Sequence, residues 1–228
     1  MVSVFKVVYE DNHLLLVNKS SGVLVQGDKT GDKPLADYIK DYIKEKYQKP
    51  GNVFTGVVHR LDRPVTGLVL LAKTSKALGR MNAQFRNREI EKTYFAIVKK
   101  QPKPEGTLLH WLVKDKNKNI SKAYKKEVPG SLRSILDYKL LAEAGGYFLL
   151  EVKPHTGRPH QIRIQLASMG CPIVGDVKYG FPEPLADGSI CLHARKLEFV
   201  HPVKKEPMAV EACLPDKFYW QLFEKTIK

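Results

Sequence analysis

The chain of 228 residues is poor in cysteine and lacks any long uninterrupted apolar run. Its three cysteines, Cys171, Cys191 and Cys213, are odd in number and widely spaced, and no Cys-x-x-Cys pair occurs. This pattern argues against a disulfide framework or a structural zinc site and favours reduced thiols. The N-terminus lacks a secretion-signal layout, and no stretch approaches the length of a membrane span. We therefore expect a cytoplasmic protein with no membrane partner.

Acidic residues are also scarce relative to basic ones. Asp and Glu number 24 against 38 Lys and Arg, which gives a net charge of +14. Such an excess favours a polyanionic partner such as RNA, although a generally basic protein or a lipid-binding protein would share it. No segment concentrates Lys and Arg opposite a bulky aromatic face, which argues against lipid. The hydrophobic share of 43% is ordinary for a globular chain.

The segment 55–73 reads as strand, polar turn and strand. One apolar run ends at Val58 and the next begins at Leu68, and the polar residues between the runs are His59, Arg60, Asp62, Arg63 and Thr66. A lone carboxylate beside cations and between buried strands stays ionised and fixed in direction, as a catalytic nucleophile or base must be. The alternative is an ordinary surface turn in which an arginine only neutralises the charge.

Three further segments contain candidate functional residues. Residues 91–98 alternate as a strand that includes Tyr94, and residues 114–126 form a lysine-rich loop or hairpin that includes Lys116 and Lys118. This hairpin is able to grip an RNA backbone, or is simply solvated. In residues 152–170, Pro159 near the first position and Gly170 past the end predict a helix that presents His160 and Arg163 on one face.

These segments together resemble the RluA-type pseudouridine synthases, from about residue 8 to about residue 195. His59-Arg60-Leu61-Asp62 with Thr66-Gly67 resembles the first signature of that family, and the segment around Tyr94 resembles the motif Lys-x-Tyr-x-Ala-x-Val. The segment from Thr156 to Arg163 resembles Thr-Gly-Arg-x-His-Gln-Ile-Arg. The chain departs from the family at Val65, where a hydroxyl residue is common.

The resemblance implies an enzyme that isomerises uridine in RNA with Asp62 as the catalytic carboxylate, acting as nucleophile or as base on the sugar. It implies that Arg163 is the ion-pair partner of Asp62 and that Tyr94 stacks on the flipped base. The predicted RNA-binding residues are His59, Arg60, Arg63, Arg158, His160, Lys116 and Lys118. The isomerisation needs no cofactor and no metal. His155 and His160 do not suggest a metal pair, because a strand-to-helix turn separates them and no third ligand is evident.

The predicted fold is α+β, a single catalytic domain spanning 1–228 with a mainly antiparallel mixed sheet and flanking helices and loops. We expect no separate N-terminal RNA-binding domain, a tRNA or rRNA stem-loop as the substrate, and a monomer without an obligatory protein partner. Two other interpretations remain open. One is an RNA-binding module without activity, and the other is a hydrolase of glycosidic bonds that uses Glu91 and Asp176 as its two carboxylates.

Overall fold

The computed structural model describes residues 4–115 and 117–226. Lys116, predicted to bind RNA, lies outside the described residues. Strands make up most of the regular structure: β1 (Phe5–Glu10), β2 (Leu14–Lys19), β3 (Gly56–Val57), β4 (Thr66–Ala72), β5 (Glu91–Val98), β6 (Glu105–Asp115), β7 (Ile120–Tyr124), β8 (Leu132–Ala144), β9 (Tyr147–Pro154), β10 (Leu192–Val200) and β11 (Pro207–Glu211). The helices are α1 (Leu35–Lys46), α2 (Ser75–Asn87), α3 (Gln161–Ser168) and α4 (Phe218–Gln221), with a 3-10 turn at Val177–Tyr179. The predicted α+β class is confirmed.

The backbone groups into two compact units. The first unit comprises Met1–Glu91 and Ala194–Cys213, and the second comprises Lys92–His193 and Leu214–Lys228. The single catalytic domain expected from the sequence stays a prediction.

In the first unit the strand order is β1-β2-β4-β10, with β3 beside β4 and β11 beside β10. The polar residues 10–13 between two short apolar runs predict a hairpin, and strands β1 and β2 form it as an antiparallel pair. Strand β2 pairs with β4 from Leu14 opposite Ala72 to Lys19 opposite Gly67. Every residue of β4 is buried, and its sequence is a continuous apolar run from Leu68 to Ala72 rather than an alternating one. Helix α2 contributes Ala77 and Met81 to the core of this unit.

Thr74 and Ser75 are candidate N-caps in the sequence, and helix α2 begins there as predicted. The Thr74 side chain accepts a hydrogen bond of 3.2 Å from the Ala77 N–H, which satisfies one of the free donors of the first turn. The helix ends at Arg88, whose backbone is left-handed, with φ of 61°. Such a C-cap stops the helix and turns the chain toward β5.

In the second unit the order is β5-β9-β8-β6-β7, and every neighbouring pair is antiparallel. Gly145 and Gly146, both with positive φ, make the tight turn between β8 and β9. Strands β6 and β7 form a hairpin, which confirms one of the two forms predicted for the lysine-rich segment. Helix α3 packs against this hairpin.

The predicted start of α3 is wrong by two residues. The helix begins at Gln161, and His160 precedes it as a left-handed N-cap residue, with φ of 56°. His160 therefore does not share a helical face with Arg163. Within the predicted helix, Ile162 and Leu166 are buried as expected.

From the sequence, Asp216 is the expected N-cap of a last helix in which Phe218, Trp220, Leu222 and Phe223 are candidate packing residues. The structure corrects this expectation for α4 at two points. Lys217, not Asp216, occupies the N-cap position, and the Asp216 carboxylate instead accepts a hydrogen bond from the Gln221 side chain. Phe218 is 64% exposed and packs little, whereas Trp220 and Phe223 are buried. An apolar residue at the start of a short helix points outward here because only one face of the single turn meets the unit.

The cysteines differ in their surroundings. Cys171 and Cys191 are buried, and burial raises the pKa of both thiols, that of Cys191 to about 12. Cys213 is exposed. Among the residues that the structure describes, no helix is both long enough and apolar enough to span a bilayer.

Candidate active site

The turn that carries Asp62 is fixed through its backbone. The Asp62 carbonyl accepts a hydrogen bond of 3.1 Å from the Val65 N–H, and the Arg63 carbonyl accepts one of 2.9 Å from the Gly22 N–H. Lys19 Nζ also donates to the Arg63 carbonyl at 3.3 Å. The Asp62 side chain is half-buried. The backbone on both sides of the carboxylate is therefore held in one direction.

Lys19 is the buried cation of this turn, with only 1% of its surface exposed. Its ammonium donates to the carbonyls of Ser20, Val23 and Arg63 at 2.9, 3.0 and 3.3 Å. Burial lowers the pKa of Lys19 to about 7, although the charge of Asp62 works in the opposite direction. Sequence reasoning missed this residue because a lysine after a strand is usually solvated.

His59 is directed toward the interior of its unit. Its Nε2 accepts a hydrogen bond of 3.0 Å from the Leu70 N–H, and its ring stacks on Phe85 with centroids 5.1 Å apart. An accepting Nε2 assigns the proton of the neutral ring to Nδ1. These contacts give His59 a structural role in joining the turn to β4 and α2, and its RNA contact stays a prediction.

The residues after Asp62 are tightly packed. Val65 is 2% exposed, so the position where the chain departs from the family motif accommodates an apolar side chain. Gly67 has φ of 113°, and a Cβ there would lie 2.4 Å from the Ala194 carbonyl oxygen. Only glycine fits this close approach of β4 to β10.

Of the two arginines beside Asp62, Arg60 is exposed and Arg63 forms an ion pair with Asp32. The Arg63 and Asp32 side chains are 40% and 58% exposed. An ion pair at that exposure contributes at most about 1 kcal/mol, because water screens both charges. The RNA contacts expected of both arginines stay predictions.

In the second unit, Tyr94 lies on β5 opposite Val152 of β9. Its neighbours Thr93 and Phe95 are buried, whereas Tyr94 is half-buried on the other face of the strand. This alternation leaves part of the ring accessible, as a stacking residue requires.

Arg163 forms a bidentate ion pair with Asp176. Arg163 Nε and Nη2 donate to the two Asp176 oxygens at 2.7 and 2.8 Å, and the residues are 5% and 1% exposed. Fork-to-carboxylate geometry fixes the guanidinium plane as well as its position. Asp176 was considered from the sequence only as one of the two carboxylates of a hydrolase. The signal that could have revealed it is the resemblance of residues 172–180 to the segment Pro-Ile-x-Gly-Asp-x-x-Tyr-Gly, which follows the motif of residues 156–163 in RluA-type synthases.

The turn before α3 is held by the Gln161 side chain. Its Oε1 accepts hydrogen bonds from Thr156 Oγ1 at 2.7 Å and from the Arg158 N–H at 3.0 Å. The Gln161 N–H in turn donates to the Arg158 carbonyl at 3.0 Å. This closed turn places His160 in the left-handed region, at a cost of about 1–2 kcal/mol. Arg158 itself is half-buried.

The structure also describes Lys118 and the two histidines that were considered as a metal pair. Lys118 is exposed at the tip of the β6–β7 hairpin, where its N–H donates to Asp115 at 3.0 Å. His155 Nε2 lies 2.6 Å from an Asp137 oxygen, and His160 Nδ1 lies 2.6 Å from the Tyr179 hydroxyl. The two histidines are therefore engaged with different partners.

Comparison with known proteins identifies the family. The family described as RNA pseudouridylate synthase matches residues 13–168, which contain Asp62, Tyr94 and Arg163. The chain belongs to this family.

Curated relatives match nearly the whole of this chain. The chain is 32% identical to tRNA pseudouridine synthase C of Vibrio cholerae, over 95% of this chain and 93% of the relative. It is 31% identical to ribosomal large subunit pseudouridine synthase C of the same organism, over 91% of this chain and 65% of that longer relative. A solved human structure, RNA pseudouridylate synthase domain containing 4, has a TM-score of 0.79 at 23% identity and covers 97% of this chain and 92% of its own. That structure supports the fold.

Membership resolves the competing interpretations. This pseudouridine synthase is an isomerase that acts on RNA, so neither an inactive binding module nor a hydrolase describes its class. The geometry agrees for Asp176, because both of its oxygens accept hydrogen bonds from Arg163. A carboxylate committed in this way is poorly suited to act as one of the two acids of a glycosidase.

Proposed function

We propose that the protein converts specific uridines of a structured RNA to pseudouridine, with Asp62 as the catalytic carboxylate. The observation that carries the proposal is the Asp62 turn, which Lys19 and Gly22 hold through the Arg63 carbonyl. A reacting carboxylate must meet the sugar in one direction, and a fixed backbone supplies that direction.

Arg163 is the proposed partner that keeps Asp62 ionised and directed. Its guanidinium plane is fixed by Asp176, so the arginine would not need to reorganise when substrate binds. Asp62 acts as the nucleophile or as the base that removes a sugar proton, and both roles require the ionised carboxylate. An ionised partner at a fixed position meets that requirement in either case.

Tyr94 stacks on the uracil after the nucleotide leaves the RNA helix. A stack of this kind contributes about 1–3 kcal/mol and replaces contacts that the base loses on flipping. The reaction breaks the N1–C1′ bond, rotates the base and forms the C5–C1′ bond, after which C5 loses a proton and N1 gains one. Atoms and electrons balance within the nucleotide.

The first substrate to test is tRNA. The relative named for tRNA matches this chain across nearly the whole length of both, whereas the ribosomal relative is longer. The exposed Arg60 and Lys118 are the predicted RNA contacts that solvent reaches most easily. We propose a cytoplasmic monomer that needs no obligatory protein partner.

The test is carbodiimide mapping of pseudouridine across all tRNA and rRNA of cells with and without the gene. The deletion is complemented by wild type, by Asp62→Asn or by Asp32→Asn. Asp32 is a matched control because it is an exposed carboxylate of the same unit whose partner is Arg63. We expect one or more sites to disappear on deletion and to return with wild type and Asp32→Asn.

Asp62→Asn should restore no site while binding the same RNA within about threefold, because one oxygen-to-nitrogen change preserves size. A site restored by Asp62→Asn would disprove the catalytic assignment. Unchanged maps in the deletion strain would disprove tRNA and rRNA as substrates.

A further inference from the structure

A hydrogen-bonded cluster connects the β6–β7 hairpin to Arg163. At its centre is the Tyr179 hydroxyl, which accepts a hydrogen bond of 2.8 Å from the Ser121 N–H of β7. His160 Nδ1 lies 2.6 Å from the same hydroxyl. The Tyr179 ring lies against the guanidinium, with Arg163 Cζ 5.1 Å from the ring centroid. The hairpin backbone and Arg163 thus share one side chain.

The proton positions in this cluster follow from Lys114. Lys114 Nζ lies 3.3 Å from His160 Nε2, and an ammonium can only donate, so Nε2 accepts. We assign the ring proton to Nδ1, which then donates to the Tyr179 oxygen. His160 is consequently tied at both nitrogens, which accounts for a non-glycine residue that keeps a φ of 56°.

The hairpin is also seated directly on the turn before α3. Ser121 is 2% exposed, and its hydroxyl donates to the Pro159 carbonyl at 2.8 Å. On its solvent side the hairpin carries Lys118 and Lys122, both exposed. The outer face of the hairpin is basic, and its inner face contacts the neighbours of Arg163. A displacement of the hairpin by RNA can therefore be transmitted to Arg163.

We propose that Tyr179 and His160 are positioning residues through which the seated β6–β7 hairpin sets the direction of the Arg163 guanidinium. Asp176 fixes the guanidinium from one side, and the Tyr179 ring restrains it from another. The inference rests on the proposed role of Arg163 and extends it, because hairpin changes would then alter the rate of isomerisation and not only RNA affinity.

The first experiment needs no activity. In the ¹⁵N-labelled full chain, solvent exchange of the Arg163 Nε–H is measured in wild type and Tyr179→Phe, with the signal assigned by its loss in Arg163→Lys. Tyr179→Phe keeps the ring and removes the hydroxyl. We expect Nε–H exchange to become about tenfold faster while the amides of β9 keep their protection, as in a local opening.

The second experiment measures single-turnover conversion and RNA affinity separately. Tyr179→Phe should slow conversion about tenfold with the RNA Kd within about twofold, because positioning acts in the transition state. His160→Ala should match this loss. His160→Asn should recover most of the rate, since the amide N–H can replace Nδ1–H and asparagine tolerates left-handed backbone.

The third experiment asks whether the hairpin acts through Tyr179. Ser121→Ala should slow conversion in the wild-type background and have little further effect in Tyr179→Phe. Ser131→Ala is the matched control, because the Ser131 hydroxyl donates to the Val128 carbonyl, outside the contact with α3. It should leave the rate unchanged.

Unchanged Nε–H exchange in Tyr179→Phe would overturn the proposal. Fully additive effects of Ser121→Ala and Tyr179→Phe would overturn the link to the hairpin. If wild type converts no RNA, the proposed function fails, whereas the exchange experiment still decides whether Tyr179 restrains Arg163.

Discussion

The turn that carries Asp62 and the turn that leads to Arg163 are stabilised in opposite ways. Around Asp62 the hydrogen bonds that hold the loop end on backbone carbonyls, above all the Arg63 carbonyl. Around Arg163 they end on the guanidinium, which Asp176 grips with both oxygens. A backbone that is held in place gives a reacting side chain its direction. A group that supplies only charge can be fixed through the charge itself.

Removing Asp176 should produce the largest effect. Asp176→Asn leaves the Arg163 charge 5% exposed without its buried counter-ion, which should lower the free energy of unfolding by about 3–5 kcal/mol. Activity should fall about a hundredfold or more, because the guanidinium loses its fixed plane. Urea denaturation and single-turnover assays would measure both. A variant as stable as wild type would show that the Arg163–Asp176 ion pair does not stabilise the fold.

Gly67→Ala should have the second-largest effect, because it strains the backbone next to the Asp62 turn. The new Cβ would lie 2.4 Å from the Ala194 carbonyl oxygen at a φ of 113°. We expect a loss of about 2–3 kcal/mol in unfolding free energy, in the range of strained or overpacked sites. Gly79→Ala, in open space on α2, is the matched control and should not destabilise the protein. Thermal melts and turnover of both variants would measure the effect. If Gly67→Ala melts and turns over like Gly79→Ala, the Asp62 turn tolerates the methyl group and the prediction is wrong.

Lys19→Met tests the buried cation and has a pH signature. Because burial lowers the Lys19 pKa to about 7, the folded protein releases this proton at lower pH than the unfolded chain does. The unfolding free energy of wild type relative to Lys19→Met should therefore rise from about pH 7 to about pH 10.5 and be constant below about pH 7. At pH 7, Lys19→Met should lower turnover clearly while the unfolding free energy changes little, because the Arg63 carbonyl loses a donor. A flat difference between wild type and variant over the whole range would contradict the shifted pKa.

Arg63→Met should have the smallest effect on stability. It removes only the exposed pair with Asp32, which is worth less than about 1 kcal/mol. The Arg63 carbonyl, which anchors the turn, is retained. If RNA affinity falls while melting is unchanged, the side chain contacts RNA as predicted, and a stability loss near that of Lys19→Met would show that the side chain also supports the turn.

The sequence predicted those parts of the fold that depend on local periodicity. The β1–β2 hairpin, the Thr74 cap and the alternating strand with Tyr94 are all where the pattern places them. The start of α3 was wrong because Pro159 is a strong local signal, whereas the Gln161 side chain reaches back to Thr156 and closes a turn first. The helix propensity of neighbouring residues does not predict such a side-chain contact.

The sequence predicted the proposed reacting residues of the site better than the residues that hold them in place. Asp62 and Arg163 were singled out by resemblance, but Lys19 is distant in sequence from Arg63, and Asp176 is thirteen residues from Arg163. A buried lysine with three carbonyl partners looks like a surface lysine when only its neighbours in the chain are read. Pairings of this kind become evident only from the folded chain.

The unequal burial of the thiols makes the native protein suitable for labelling at one position. Cys191 and Cys171 are buried and hold their protons, so a maleimide dye should react at Cys213 without any mutation. The Cys213 carbonyl accepts a hydrogen bond of 2.8 Å from Asn18, the residue before Lys19. A fluorophore there would report the arrival of RNA close to the anchor of the Asp62 turn, in real time and in enzyme of wild-type sequence.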